Sequence, residues 1–140
     1  MGQFNHSATT LRLFGETLDP SEVTILLGCQ PSVAKRIGEV TRDSSGRERI
    51  AKYGQWRLEA VAARPGDIES QIRDLLSQVS DDMEVWKRLS ENFDIDIFCG
   101  LFMQTANDGL SLSPELMLML GQRGIALSLD VYEPMENGED

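Results

Sequence analysis

The chain has 140 residues, of which 41% are hydrophobic and 26% are charged, so its length suits one domain with its own core. Its 13 basic and 23 acidic residues give a net charge of −10, which argues against coating nucleic acid or an anionic membrane with the whole surface. The single histidine, His6, lies in a polar stretch at residues 1–8 that we expect to be a disordered leader. Catalytic triads and histidine-based zinc sites need a histidine held by packing, so we assign no catalytic or metal-binding residue.

The cysteines and the hydropathy profile indicate the compartment in which the protein is expected. Cys29 and Cys99 are too few for a disulfide framework or a four-sulfur metal site. The N-terminus lacks a basic stretch followed by an apolar one, and no apolar run is long enough to span a bilayer. We therefore expect a soluble cytoplasmic protein with reduced cysteines, no cofactor and no membrane association.

The first half of the chain predicts a strand, a helix, a long loop and a second strand. Residues 9–15 alternate between apolar and polar side chains, as a half-buried strand does. Asp19 caps a helix that Gly28 ends. Residues 29–53 have no clear periodicity and predict a long basic loop with an edge ribbon, and residues 55–61 alternate as a strand.

The second half predicts helices, a strand, a helix and a final strand. Apolar residues recur at helical spacing through a helical insertion at residues 67–91. Residues 93–103 predict the strongest strand of the chain. Residues 113–124 begin with Ser-Pro-Glu and end at a glycine, as a capped helix does, and residues 125–132 predict the last strand. The acidic residues 134–140 are expected to be a disordered tail.

The first and last thirds of the chain share a pattern. Leu-Arg-Leu-Phe-Gly precedes Leu-Asp-Pro-Ser-Glu in residues 11–22, and Ile-Asp-Ile-Phe-Cys-Gly precedes Leu-Ser-Pro-Glu in residues 95–115. In both thirds the pattern marks a strand followed by the start of a helix, and the helix leads on to a further strand. Residues 9–133 therefore predict one α+β domain of two β-α-β units joined by the helical insertion. Two such units form a mainly antiparallel four-stranded, ferredoxin-like sheet with helices on one face. Shared capping chemistry is the alternative source of the similarity.

Several stretches together carry a resemblance to a known family. They are residues 11–15 with 18–20, 35–39, 54–58, 94–100, and 112–116 with 129–132. In this order and spacing they resemble the bacterial family known as domain of unknown function 4279, over about residues 9–133. The resemblance implies a compact bacterial α+β domain, and it brings no established catalytic residues.

Positive charge is concentrated in one part of the chain. Residues 35–64 hold eight of the 13 basic residues but only four acids, so this segment is +4 and the remainder is −14. A basic loop that contains Gly and Ser can hold a phosphate or carboxylate through arginine forks. The candidate ligand-binding residues are Lys35, Arg36, Arg47, Arg49, Lys52 and Arg57. The alternative is a solvated loop that pairs with the acidic body, and nucleic-acid binding is not expected.

Two further groups are candidates for function. Asp96 and Asp130 lie on predicted strands, where paired carboxylates could bind a divalent cation or transfer protons. The alternative places both acids on a solvated sheet face. Residues 116–120 are five consecutive apolar residues of a helix, so Leu118 and Met119 are candidates for a homodimer interface. The alternative is a helix sandwiched between the sheet and the inserted helices.

These features favour a non-catalytic binding or interaction domain that self-associates. A specific version is an immunity-type protein that blocks a toxin, because an acidic surface complements a basic protein partner. No nucleotide-binding glycine motif is present, so an enzymatic role is not favoured. The alternative is a small-ligand sensor or enzyme that binds an anionic metabolite under the basic loop.

Overall fold

The computed structural model describes residues 2–134 as a layer of helices packed on one face of a sheet. The elements in chain order are β1 (His6–Gly15), α1 (Pro20–Leu27), β2 (Val33–Lys35), β3 (Val40–Arg42), β4 (Glu48–Ile50), β5 (Gly54–Glu59), α2 (Ile68–Gln78), α3 (Met83–Asn92), β6 (Asp94–Phe102), α4 (Pro114–Gln122) and β7 (Ala126–Tyr132). The predicted helical insertion at residues 67–91 therefore consists of α2 and α3.

Five strands form one mixed sheet in the order β2-β5-β1-β6-β7, and β3 and β4 form a separate hairpin. Strand β1 is central and antiparallel to both β5 and β6, whereas β7 runs parallel to β6. The predicted α+β class is confirmed. The sheet is mainly antiparallel, as predicted, but the predicted four-stranded ferredoxin-like arrangement is not matched, because a fifth strand, β2, lies at one edge and the strands of the first β-α-β unit are not adjacent.

The difference arises in the first β-α-β unit. Its second strand was predicted at residues 55–61, but β5 starts beside the end of β1, with Gly54 opposite Gly15, and runs back antiparallel to it. The strand parallel to β1 is instead β2, which is antiparallel to β5 and separated from β1 by it. The unit β6-α4-β7 is formed by adjacent parallel strands, as a β-α-β unit requires.

The hydrophobic core lies between the helices and one face of the sheet. Alternate residues of the central strands point into it, including Leu11, Leu13, Ile97 and Cys99, all 0% exposed. Residues spaced three or four apart on the helices meet them, as the periodicity predicted. The largest buried side chains include Trp56 of β5, Trp86 of α3, Ile72 and Leu75 of α2, and Leu116 of α4.

The helix ends carry the predicted caps. The Asp19 carboxylate accepts the N–H of Ser21 at 3.0 Å, and the Ser113 hydroxyl accepts the N–H of Leu116 at 3.1 Å. Gly28 ends α1 with φ of 68°, a left-handed conformation that favours glycine. These local signals set where α1 and α4 begin, independently of the sheet.

The predicted leader at residues 1–8 differs from the structure over residues 2–8. The N–H of Gly2 donates to the carbonyl of Asn107 at 2.7 Å, Phe4 is buried, and β1 already begins at His6. The reason is that β6 offers a pairing edge as far as Phe102, so β1 extends beyond its apolar residues. The predicted tail lies, from residue 135 onward, outside the described residues. No helix within residues 2–134 has the length and apolar character to cross a membrane.

Candidate anion-binding site

A tight turn joins β3 to β4, and one carboxylate organises this turn. Asp43 accepts the N–H groups of Ser45 at 2.9 Å and Arg47 at 3.0 Å, and the Ser45 hydroxyl donates to the same oxygen. The Ser45 hydroxyl first, and then the Arg47 N–H, lower the pKa of Asp43, since both favour the charged form. Gly46 follows with φ of 82°, where a side chain would be strained. The turn therefore holds Arg47 at a defined position.

The two faces of the hairpin differ in charge balance. Arg42 is opposite Glu48 in the ladder, and its guanidinium donates to that carboxylate at 2.7 Å. Arg49 is opposite Thr41 on the other face, so no acid stands across from it. Because side chains alternate along each strand, Arg42 lies on the same face as Glu48, which neutralises it. Arg49 lies on the opposite face, where it is available to bind an anion.

A groove of about 510 Å³ is formed by residues of the hairpin, β2 and β5; we call it the hairpin groove. It is lined by Lys35, Thr41, Arg47, Arg49, Ile50, Ala51, Lys52, Tyr53 and Gln55. Four of these nine side chains are cationic and none is acidic. The lining also supplies a phenol, an amide and a hydroxyl, which are neutral hydrogen-bonding groups.

The four cations of the groove lack the partners that other basic residues have. Within residues 2–134, the ion pairs within 4.0 Å are those of Arg12, Arg36, Arg42, Arg73 and Arg88, apart from any formed by Arg64 or His6. No carboxylate in this range neutralises Lys35, Arg47, Arg49 or Lys52. In a protein of net charge −10, an unneutralised cluster of four cations is a local positive field that attracts anions.

Four of the six predicted ligand-binding residues therefore lie together, and two do not. Arg36 donates to Asp19 at 2.6 Å at the start of α1. The Nε of Arg57 donates to Gln55 at 2.9 Å, and its guanidinium lies 5.8 Å from the centre of the Phe14 ring. Arg36 therefore pairs with the capping residue of α1, whereas Arg57 orients Gln55, a residue that lines the groove.

Tyr53 and Gln55 also line the groove but are not among the six predicted ligand-binding residues. Tyr53 is 44% exposed and packs edge-on to Phe14, with ring centres 5.7 Å apart. Gln55 precedes the fully buried Trp56 on β5, so the alternation of a strand places it on the sheet face opposite the core. That alternation is the signal that identifies Gln55, whereas Tyr53 is indicated by its position next to Lys52 in the chain.

The sheet face away from the helices carries a second cluster next to the groove. The Arg12 guanidinium lies 4.5 Å from the centre of the Phe98 ring and 5.1 Å from that of Phe14. It donates two hydrogen bonds to Asp96, whose carboxylate also accepts the Ser128 hydroxyl at 2.9 Å. The Asp96 carboxylate raises the pKa of Arg12. This cluster is internally neutralised, so it does not compete for anions.

The structure does not bring Asp96 and Asp130 together. Both lie on the same sheet face, but Asp96 is opposite Ala126 and Asp130 is opposite Gly100. Four residues along a strand separate the two positions by roughly 13 Å. Asp130 instead accepts the hydroxyl of Tyr132. Within residues 2–134 no group of three His, Cys, Asp or Glu side chains is placed to hold a metal ion.

The predicted interface residues on α4 have unlike surroundings. Leu118 is 59% exposed, whereas Met119 is half-buried and packs against the core. Met117, which was not singled out, is 53% exposed. The helix is therefore covered by the sheet on one side and open on the other.

Other grooves offer less favourable chemistry for an anion. One of about 400 Å³ is lined by Lys35, by Arg36, which already pairs with Asp19, and by the acidic Glu39. Another of about 670 Å³ is lined largely by small residues together with Arg64 and the two acids Asp67 and Asp74. Acidic lining repels an anion, so the hairpin groove remains the best-suited site.

The family comparison agrees with the extent of this domain. The sequence model of a family described as "Domain of unknown function (DUF4279)" matches residues 4–134, from the segment before β1 to just beyond the end of β7. No curated protein and no solved structure gives a significant match to the chain. The protein, with its helix-covered five-stranded sheet and basic hairpin, belongs to the DUF4279 family.

Proposed function

We propose that this protein is a binding domain that holds a small anionic ligand, bearing phosphate or carboxylate groups, in the hairpin groove. The observation that carries the proposal is the convergence of four cations without carboxylate partners in a strongly acidic protein. An anion there would gain charge-assisted hydrogen bonds without first breaking an ion pair.

The groove residues offer an anion different kinds of contact. The guanidinium groups of Arg47 and Arg49 offer planar forks that match two oxygens of one anion, while Lys35 and Lys52 act as point charges. Gln55 and Tyr53 add neutral hydrogen-bonding groups and an exposed ring. The lining contains no carboxylate, imidazole or thiol, so it supports binding and sensing better than acid-base catalysis.

Calorimetric titration with pyrophosphate, inorganic phosphate and citrate tests this proposal. We expect at least one of these anions to bind, with an affinity that falls as salt rises. The double variant Arg47→Ala/Arg49→Ala should weaken binding about tenfold or more, which corresponds to about 1.4 kcal/mol.

The matched control is Arg42→Ala, since Arg42 lies on the same hairpin but pairs with Glu48 on the other face. It should bind the anion within about twofold of the unmodified protein. The proposal fails if no anion in the panel binds, or if the control variant loses as much affinity as the groove variant.

A second candidate is a non-catalytic interaction domain, for example an immunity-type protein with a basic partner. The charge of −14 outside residues 35–64 supports it, because a negative surface steers and complements a cationic protein. Five acids exposed around α3 contribute to this charge; they are Asp81, Asp82, Glu84, Glu91 and Asp94. Mixing the protein with purified basic products of neighbouring genes tests this candidate, and a lack of both binding and inhibition would count against it.

A further inference from the structure

The two edges of the five-stranded sheet are unlike. Strand β2 has three residues, follows Pro31 closely and ends at Lys35, which are features that discourage pairing with another strand. Strand β7 has seven residues and contains no proline and no lysine. Within residues 2–134 no strand pairs with its outer edge. One long edge is therefore left with unpaired backbone donors and acceptors.

The side chains of β7 add apolar surface to this edge. Leu129 is 48% exposed and Val131 is 52% exposed, and both lie on the helix side of the sheet because they pair with the buried Cys99 and Leu101. A long, exposed apolar edge in a single chain favours aggregation unless something covers it.

We propose that the outer edge of β7 pairs antiparallel with β7 of a second copy, about a two-fold axis through Leu129. Leu129 is the middle residue of the strand, so this register uses all seven residues. The two sheets would then join into one continuous sheet with both helix layers on the same side.

The sequence of β7 is complementary to itself in this register. Leu129 faces its own copy, and Leu127 faces Val131 of the second copy, so apolar residues meet on the helix side. On the other side, Asp130 faces the neutral Ser128 of the second copy, and no like charges are opposed. Moving the axis to Asp130 would oppose two carboxylates, which disfavours that register.

Helix α4 extends the same surface. Glu115 pairs with Arg73 of α2 at 3.1 Å, which marks the side of α4 that faces α2. Met117 is about 200° further around the helix, at 100° per residue, so it lies on the side away from α2. Because α2 packs on β1 and α4 packs on β7, that side faces the free edge. The two exposed Met117 side chains would lie beside the joined strands.

A second copy suits this surface better than an unrelated partner would. Each copy carries a charge of −10, yet Asp130 is the one charged residue in β7, so the paired strands themselves carry little of the repelling charge. A two-fold contact also presents the same complementary surface from both sides.

Sedimentation and light scattering of the full chain, from micromolar to near-millimolar concentration, test the proposal. We expect the mass to rise with concentration from 15.6 kDa to twice that value. Leu129→Lys places two ammonium groups opposite each other and should weaken dimerisation about tenfold or more. Ile25→Lys, at an 80% exposed position on α1, should leave the dimer unchanged.

An equimolar mixture of the Leu129→Lys and Leu129→Glu variants gives a stricter test. Each variant alone repels its own copy, whereas the mixture pairs opposite charges across the axis, so the dimer should return. Circular dichroism shows that each variant is folded before it is compared. A monomer at every concentration, a dimer insensitive to Leu129→Lys, or a mixture that stays monomeric would each overturn the proposal.

Discussion

Arg12 and Asp96 form a two-pronged ion pair across β1 and β6. Nε of Arg12 lies 2.8 Å from one carboxylate oxygen of Asp96, and Nη2 lies 2.6 Å from the other. The two residues are directly opposite in the ladder, and their side chains are 23% and 16% exposed. The rings of Phe14 and Phe98 flank the guanidinium. The pair therefore ties the two central strands together on the face that the helices do not cover.

Removal of either partner should destabilise the fold. We expect Asp96→Asn to lower the free energy of unfolding by about 2 kcal/mol, because a partly buried guanidinium loses its charged acceptor. Arg12→Lys keeps the charge but loses the planar fork and the contact with two rings, so it should cost a similar amount. Urea unfolding of both single variants and the double variant measures their coupling. Additive effects would show that the two side chains act independently.

Glu69 should make stability depend on pH. It lies in the first turn of α2 and accepts the N–H of Ser113, the cap of α4, at 2.7 Å. That hydrogen bond is the main reason why the pKa of Glu69 is lowered from its ordinary value of 4.5. A lowered pKa in the folded state stabilises the protein above pH 4.5, and this contribution is lost as the pH falls through the folded-state pKa.

The variant Glu69→Gln tests this dependence. It should unfold at lower urea concentration than the unmodified protein at neutral pH, and the difference should shrink at about pH 3. Glu91→Gln, at an exposed position of α3, controls for the loss of one negative charge. A difference that is the same at both pH values would show that the Glu69 carboxylate is not responsible.

Gln71 should contribute strongly to the free energy of unfolding although it is polar. It is 5% exposed, its oxygen accepts the hydroxyls of Ser7 and Thr9, and its nitrogen donates to the carbonyls of Ser7 and Val61. Gln71→Met keeps the volume but leaves these buried groups without a partner, so we expect a loss of about 3 kcal/mol. Gln78→Met, exposed on the same helix, should have little effect in the same urea experiment.

The two cysteines should differ in reactivity. Cys99 is 0% exposed, and burial raises the pKa of its thiol, so little reactive thiolate forms near neutral pH. Cys29 is half-buried just beyond the end of α1. Titration with a disulfide reagent should detect one thiol per chain in the native protein and two in denaturant. Rapid reaction of both thiols without denaturant would contradict the burial of Cys99.

Local chemistry accounts for the parts of the fold that could be predicted. The caps Asp19 and Ser113 act on amide groups within a few residues, so they locate α1 and α4 without tertiary information. The alternation of Ile95, Ile97 and Cys99 likewise identified the buried face of β6. The order of residues 2–8 was not predicted because Ser7 is buried through a hydrogen bond to the distant Gln71, which a pattern of apolar residues cannot reveal.

Residue types and short spacings predict the α+β class, the starts of α1 and α4, the family, and the concentration of positive charge in residues 35–64. Which cations lie together depends on tertiary contacts. Strand pairing joins residues far apart in the chain, and one shift in register changes which face each side chain occupies. Strand pairing places Arg49 in the groove and Arg42 opposite Glu48. It also separates Asp130 from Asp96 and leaves β7 at the open edge of the sheet.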